Sequence, residues 1–280
     1  MSLESAPKPP RIKTMEYLDK YIPKEYLALK INYCKKRLRE LPRISMHEHK
    51  VNGILRTRVR VDNHRFNLTS DNGKEYFRTM AERDELEREL NVYEAIWDYY
   101  YKTPPPEYDP PQINRTLKTN YEGQSVLNKE FFDSLKNDAN EQFPKPMIYP
   151  FNGIQYRSAA EQSIATFYTE MGIPFKYEPE VKLIGMKKPQ YPDFVLYIPE
   201  LTTCKFHEHY GLMSLNNYIR DIKLKCGTYT DAGLLLDQDV FFTYNTEDQP
   251  LDVRYIADKF NAIVYGTIIG SNERIENLML

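Results

Sequence analysis

Hydrophobic and polar positions change period several times along this 280-residue chain, and each change predicts an element. Residues 15–45 carry Tyr17, Leu18, Tyr21, Tyr26, Leu27, Leu29 and Ile31 at helical spacing, with the basic cluster Lys35-Lys36-Arg37-Leu38-Arg39 behind them. Between residues 50 and 80 the period shortens. Residues 54–61 alternate, Asp62-Asn63-His64 reads as a turn, and residues 65–69 alternate again: a β-hairpin with Arg56, Arg58 and Arg60 projecting from one face. Helical spacing returns over residues 76–101, where Leu86, Leu90, Tyr93, Ile96 and Trp97 form one stripe. Pro104-Pro105-Pro106 and Pro110-Pro111 fit neither a helix interior nor a central strand, so they mark a linker. The chain then stays polar to about residue 150, apart from a short helix near residues 127–135.

Beyond Tyr156 the alternation becomes regular. A helix is predicted over residues 158–172, with Ser158 as N-cap and Gly172 as its stop. Strands follow at 175–183, 192–198 and 203–210, then a helix at 215–230, strands at 232–236 and 240–244, and a last helix at 252–263. That order predicts an α/β fold with a mixed central sheet flanked by helices. Three regions result: an N-terminal α+β extension over 1–103, a proline-rich linker over 104–150, and an α/β domain over 151–280.

Composition narrows the class. With 41% hydrophobic and 13% aromatic residues, the chain has enough apolar area to fold. No run reaches the length of a membrane span, and the first residues lack a signal core, so no membrane partner is expected. Three cysteines (Cys34, Cys204, Cys226) without a CxxC argue against a disulfide framework and for a cytoplasmic protein. Charge is uneven: residues 1–65 hold 16 basic against 7 acidic side chains, while 151–280 hold 12 against 17. A basic front and an acidic back suit a chain that holds a polyanion with one part and gathers cations with another.

Four residues of the rear half break their local pattern. In the strand 203–210, Glu208 alternates in phase with Cys204, Phe206 and Tyr210, and a carboxylate in an apolar row must be paired, protonated or metal-bound. Asp193 opens a strand that is apolar on both faces. Glu161 lies on the rim of the stripe Ala160, Ile164, Phe167, Tyr168, Met171, roughly 60° from Ile164. Lys225 lies on the rim of its own helix, whereas Lys223 points further round, towards solvent. Structural ion pairs would account for each singly. Together, three acids and one lysine are what divalent-metal phosphodiester cleavage needs, with carboxylates for part of a Mg²⁺ or Mn²⁺ shell and an ammonium beside the attacking water.

These residues resemble the PD-(D/E)XK nuclease superfamily. The resemblance is carried by Arg157-Ser158-x-x-Glu161, Pro192-Asp193-Phe194, Glu208-His209-Tyr210-Gly211 and the series Lys225, Tyr229, Gly233. It covers about residues 145–265 and is closest to small bacterial members whose lysine has migrated to the following helix. It implies a restriction-endonuclease-like core, metal ligation by Asp193 and Glu208, an auxiliary role for Glu161, and an amine from Lys225. Tyr210 stands where the superfamily usually has its lysine. DNA is the implied substrate, and a homodimer is compatible with cutting both strands. Arg56, Arg58 and Arg60, with His209, are the candidate nucleic-acid contacts. A catalytically inactive nuclease fold that binds nucleic acid or a protein is the rival reading. His47-x-His49 and His207-x-His209 have zinc-ligand spacing, but three or four ligands are needed and nothing in the sequence joins the two pairs. Neither a nucleophile elbow, a GxGxxG nor a P-loop occurs.

Overall fold

The computed structural model describes residues 21–51, 54–107, 115–119, 123–142, 144–211, 216–246 and 250–271. The start of the first expected helix, the Pro110-Pro111 pair and Leu215 lie outside these residues. Six helices and four small sheets make the described chain a mixed α/β protein. It divides into two compact units, residues 27–110 and the remainder. Among the described residues, no helix is long and apolar enough to cross a membrane.

In the first unit, helix α1 (Lys24–Glu40) ends where Arg83 donates to two otherwise orphaned carbonyls, Leu38 O at 2.8 Å and Leu41 O at 2.9 Å. Strands β1 (Ile44–Val51), β2 (Ile54–Val61) and β3 (His64–Asn67) form an antiparallel sheet in chain order. The expected hairpin is its second half, turning at Asp62, whose φ of 51° is left-handed. Strand β1 was not expected. Helix α2 (Asp71–Tyr100) packs on the sheet face that carries the buried Val59 and Val61. Its N-cap is Ser70, which accepts from Gly73 N at 3.1 Å, and a Cβ at Gly73 would sit 1.9 Å from Asn67 O.

In the second unit, a hairpin of β4 (Thr116–Thr119) and β5 (Gly123–Val126) is followed by the short helix α3 (Lys129–Ser134). A second small hairpin, β6 (Pro150–Phe151) and β7 (Ile154–Gln155), precedes helix α4 (Ala159–Glu170), which Ser158 caps as expected. The main sheet contains β8 (Phe175–Tyr177), β9 (Phe194–Ile198), β10 (Thr203–Tyr210) and β11 (Val240–Tyr244), in spatial order β11-β10-β9-β8. β8, β9 and β10 are antiparallel neighbours. β10 and β11 are parallel, joined through helix α5 (Asn216–Asp231), and helix α6 (Val253–Ser271) closes the unit.

Every residue of β9 and β10 is buried, because both sheet faces are covered. Tyr168 of α4 and Phe260 of α6 lie on the His207 face, with Tyr168 Oη 2.7 Å from His207 Nδ1. The opposite face carries Val195, Tyr197, Cys204 and Phe206 against Tyr229 of α5 and against Leu117, Leu127, Phe132 and Leu135.

Those last four residues correct the linker expectation: from residue 115 the segment is part of the core. Its backbone is tied in by Cys204 N to Leu127 O at 2.9 Å and Lys118 N to Ala232 O at 3.0 Å. Arg115 also pairs with the buried Asp239, which faces the buried Lys205 at 3.7 Å. Burial, then Arg115, pull the Lys205 pKa down to about 8 against the attraction of Asp239. Two strand expectations also shrink. The strand from Phe175 stops at Tyr177 because Glu178 turns the chain at φ 40°, and the strand expected at 232–236 gives way to a helix terminus over 232–234, with Gly233 at φ 88° and Leu234 N bonded to Tyr229 O at 3.0 Å, leaving a single bridge from Leu236 to Val240.

Candidate active site

The antiparallel register of β9 and β10 ends on the rung Phe194↔His207. One step further brings Asp193 opposite Glu208, at the point where the sheet edge opens. Asp193 is held there by His209 N, which donates to its Oδ2 at 2.7 Å. Glu208 is fully buried and accepts from two donors on α5: Lys225 Nζ at 2.7 Å to Oε2, and Tyr229 Oη to Oε1. Lys225 and Tyr229 are four residues apart and so share one helix face. Glu161 arrives from the first turn of α4. Its N–H donates to the Ser158 hydroxyl at 3.1 Å, and its Oε2 accepts from Arg157 N at 3.1 Å and Tyr177 Oη at 2.6 Å. The lower α4 end thus resembles a capping box in which the glutamate also meets a buried phenol.

Electrostatics tie the four together. Burial raises the Asp193 carboxyl well above its ordinary range, Glu208 and Glu161 raise it further, and Lys225 and the His209 amide only partly oppose them. Burial also raises Glu161, against the hydrogen bonds from Tyr177 and Arg157. Burial pulls Lys225 down, yet Glu208 and then Asp193 outweigh it, so its pKa lies above the ordinary value. Lys225 is therefore a fixed cation at neutral pH, suited to offsetting developing negative charge and to orienting water rather than to accepting its proton. Tyr210, in the position where a lysine was the usual residue, lays its ring 5.8 Å from Lys225 Nζ and stacks on Phe242.

Among the described residues, no group of three or more His, Cys, Asp or Glu side chains is gathered closely enough to hold a metal ion by itself. The donor set nonetheless fits a hard cation. Mg²⁺ commonly takes only one or two protein carboxylates and keeps its waters, and three mutually repelling carboxylates with one ammonium leave negative charge uncompensated. Asp193 and Glu208 would be the holding residues. Glu161 Oε2 already accepts from Tyr177 and Arg157, as both Glu208 oxygens accept from Lys225 and Tyr229, so an ion would share these carboxylates with the protein donors.

Other expected site residues stand elsewhere. The His209 ring is buried and bonded to Thr243 Oγ1 and Asn245 Oδ1, both at 2.8 Å, so it braces β10 against β11 instead of meeting a phosphate. His207 is bonded to Tyr168 and Thr243 on the same face, away from Glu208. Burial lowers both histidine pKa values, keeping the rings neutral, with His207 held well below the ordinary value. A shared zinc site with Glu208 has no geometric basis, and His47 and His49 belong to the other unit. Arg56, Arg58 and Arg60 share one face of β2, also in that unit.

The sequence names Tyr229 only in the series Lys225, Tyr229, Gly233 and gives Tyr177 no role. Both prove to hold an acid by its oxygen. The spacing of Lys225 and Tyr229 was the available signal for the first; the second is a contact between separate elements and left none. A cleft of about 850 Å³ lined by residues including Leu117, Phe131, Leu135, Val181 and Tyr191 reaches within two residues of Asp193 but contains none of the four candidates. No protein-family model, curated protein or solved structure matches the chain.

Proposed function

We propose that this protein is a metal-dependent nuclease that hydrolyses phosphodiester bonds, with Asp193 and Glu208 as holders of Mg²⁺ or Mn²⁺ and Lys225 beside the reacting phosphate. The observation that carries the reading is the meeting of Asp193, Glu208 and Lys225, from a strand end, a neighbouring strand and a helix, in a place where burial and the neighbouring Glu208 disfavour ionised Asp193. Charged groups are seldom gathered at such cost without a functional reason. The element order α4-β8-β9-β10-α5-β11, with three antiparallel strands and one parallel crossover, supports a restriction-endonuclease-like core.

A bound divalent ion would polarise the phosphoryl oxygens and favour hydroxide formation from a bound water. Asp193, oriented by the His209 amide, and Glu208, oriented by Tyr229, would hold such an ion. The Lys225 ammonium stabilises the extra negative charge as the water oxygen bonds to phosphorus and the ester oxygen departs, taking up a proton. Glu161 adds to the negative field from α4. DNA is the substrate that the sequence resemblance implies.

A second reading, a catalytically silent nuclease fold, is favoured by one feature: both Glu208 oxygens already accept from protein donors. Incubation of linear, circular and single-stranded DNA with the protein in Mg²⁺ or Mn²⁺ separates the two. The nuclease reading expects cleavage that EDTA stops and that Asp193→Asn and Glu208→Gln each reduce at least about 100-fold, the scale of losing a main electrostatic group. Equal residual activity in all three proteins would establish the silent reading.

A further inference from the structure

One face of the three-stranded sheet in residues 44–67 carries a charge pattern that the acid cluster does not explain. Strand alternation and register place His47 and His49 of β1 opposite Arg58 and Arg56, and Arg60 opposite Arg65 of β3. All six therefore point to one side, away from the face on which α2 packs through Val59. Arg56, Arg60, Arg65 and His47 are exposed. Among the described residues of these three strands, no Asp or Glu shares this face, because Glu48 alternates to the other.

The arginines of this face differ from four cations on the helices of the same unit. On α1 and α2, Lys35 pairs with Glu94, Arg37 with Glu82, Arg83 with Glu87 and Arg88 with Glu85. On the sheet, Arg58 instead donates to Asn67 Oδ1 at 3.0 Å and Arg60 to Asp62 O at 2.9 Å, neutral acceptors that orient a guanidinium without cancelling its charge. Alternate residues on a strand lie about 6.6–6.8 Å apart and adjacent strands about 4.8 Å apart, so the guanidinium groups form a flat lattice of like charge. Such a lattice is unfavourable until an extended polyanion covers it.

We infer that this face binds the phosphate backbone of duplex DNA, as an affinity surface separate from the acid cluster. The nuclease reading enters only in choosing nucleic acid among polyanions. Duplex rather than single strand is favoured because, among the described residues of these strands, the one Phe, Tyr or Trp is Phe66, which turns to the helix side, 5.0 Å from Tyr76, away from this face. Contacts of this kind supply affinity and salt dependence with little choice of sequence.

The test is fluorescence anisotropy of a short labelled duplex with the full chain in EDTA, where no metal-dependent cleavage can intervene. Arg56→Gln, Arg60→Gln and Arg65→Gln combined should weaken binding roughly tenfold or more at 0.1 M salt and flatten the log K against log salt slope by about 2.7, three phosphate contacts' worth. Lysine at the same three positions should restore most of the affinity, which a folding defect would not allow. Removing three exposed charges elsewhere, Lys74→Gln, Arg78→Gln and Lys102→Gln, should change it little. Unchanged binding and slope in the arginine variant, an equal loss in the control variant, tighter binding of single strands, or equal binding of heparin would each overturn the inference. Cleavage by the parent chain is followed separately in Mg²⁺, so a failure of cleavage and a failure of binding are read separately.

Discussion

Lys225→Met isolates the physical claim on which the site rests. Glu208 is 0% exposed and its Oε2 accepts from Lys225 Nζ at 2.7 Å, while the lysine side chain is 33% exposed. Breaking a wholly buried ion pair costs roughly 3–5 kcal/mol, because the surviving charge is left in a medium that cannot solvate it. A wholly exposed pair is worth about 1 kcal/mol or less. The pair here is buried on one side only: water reaching the lysine end can take over part of the ammonium's role, and Tyr229 still donates to Oε1. The intermediate geometry puts the loss at about 2 kcal/mol. Methionine keeps the unbranched stem, so little packing is lost with the charge. Urea denaturation in EDTA at pH 8 measures it. The double variant Lys225→Met/Glu208→Gln should recover most of the loss, since the stranded carboxylate goes with its partner, giving a coupling of about 1–2 kcal/mol. A single variant within about 0.5 kcal/mol of the parent, or strictly additive effects in the double, would refute the claim that Lys225 holds the Glu208 charge in place.

Two further outcomes follow from the same structure. The Asp193 carboxyl is raised in the fold by burial and by Glu208, so between its unfolded and folded pKa values the folded protein holds more protons. Its stabilising share is complete below about pH 4 and is lost as pH rises through the folded value. Asp193→Asn should therefore leave stability unchanged at low pH and raise it by about 1 kcal/mol at pH 8 in EDTA; lower stability at pH 8 would contradict the electrostatic account. Leu117→Ala, at a site with 0% exposure in the segment expected to be a linker, should cost about 2–4 kcal/mol by thermal or urea unfolding, whereas Met147→Ala, 75% exposed, should cost under about 0.5 kcal/mol. A small effect at Leu117 would return residues 115–135 to the role of a connector.

The elements read most clearly from the sequence are those whose own side chains define a period and whose ends carry a stop. Helix α4, with Ser158 before it and Gly172 after it, and strand β10, bounded by the Thr202 turn and Gly211, belong to this class. The charges out of pattern were legible for a related reason: Glu208 in an apolar row and Lys225 on an apolar rim are anomalies that one strand or one helix displays by itself. Strand β1 had no such signature. Its sequence, Ile44-Ser45-Met46-His47-Glu48-His49-Lys50-Val51, is polar on both sides, and it is a strand because β2 offers it a hydrogen-bonding edge. The segment from 115 to 135 looked like a connector because its few apolar residues, Leu117, Leu127 and Phe132, are far apart in sequence; their burial comes from the sheet face they cover. The His209 ring likewise found Thr243 on β11 and Asn245 just past its end, more than thirty residues away. The sequence by itself determined which residues were costly to bury and the local elements that carry them. Tertiary structure alone decided what compensates that cost, because partners for a buried charge or an unpaired strand edge are supplied by whichever distant segment the fold brings within hydrogen-bonding reach.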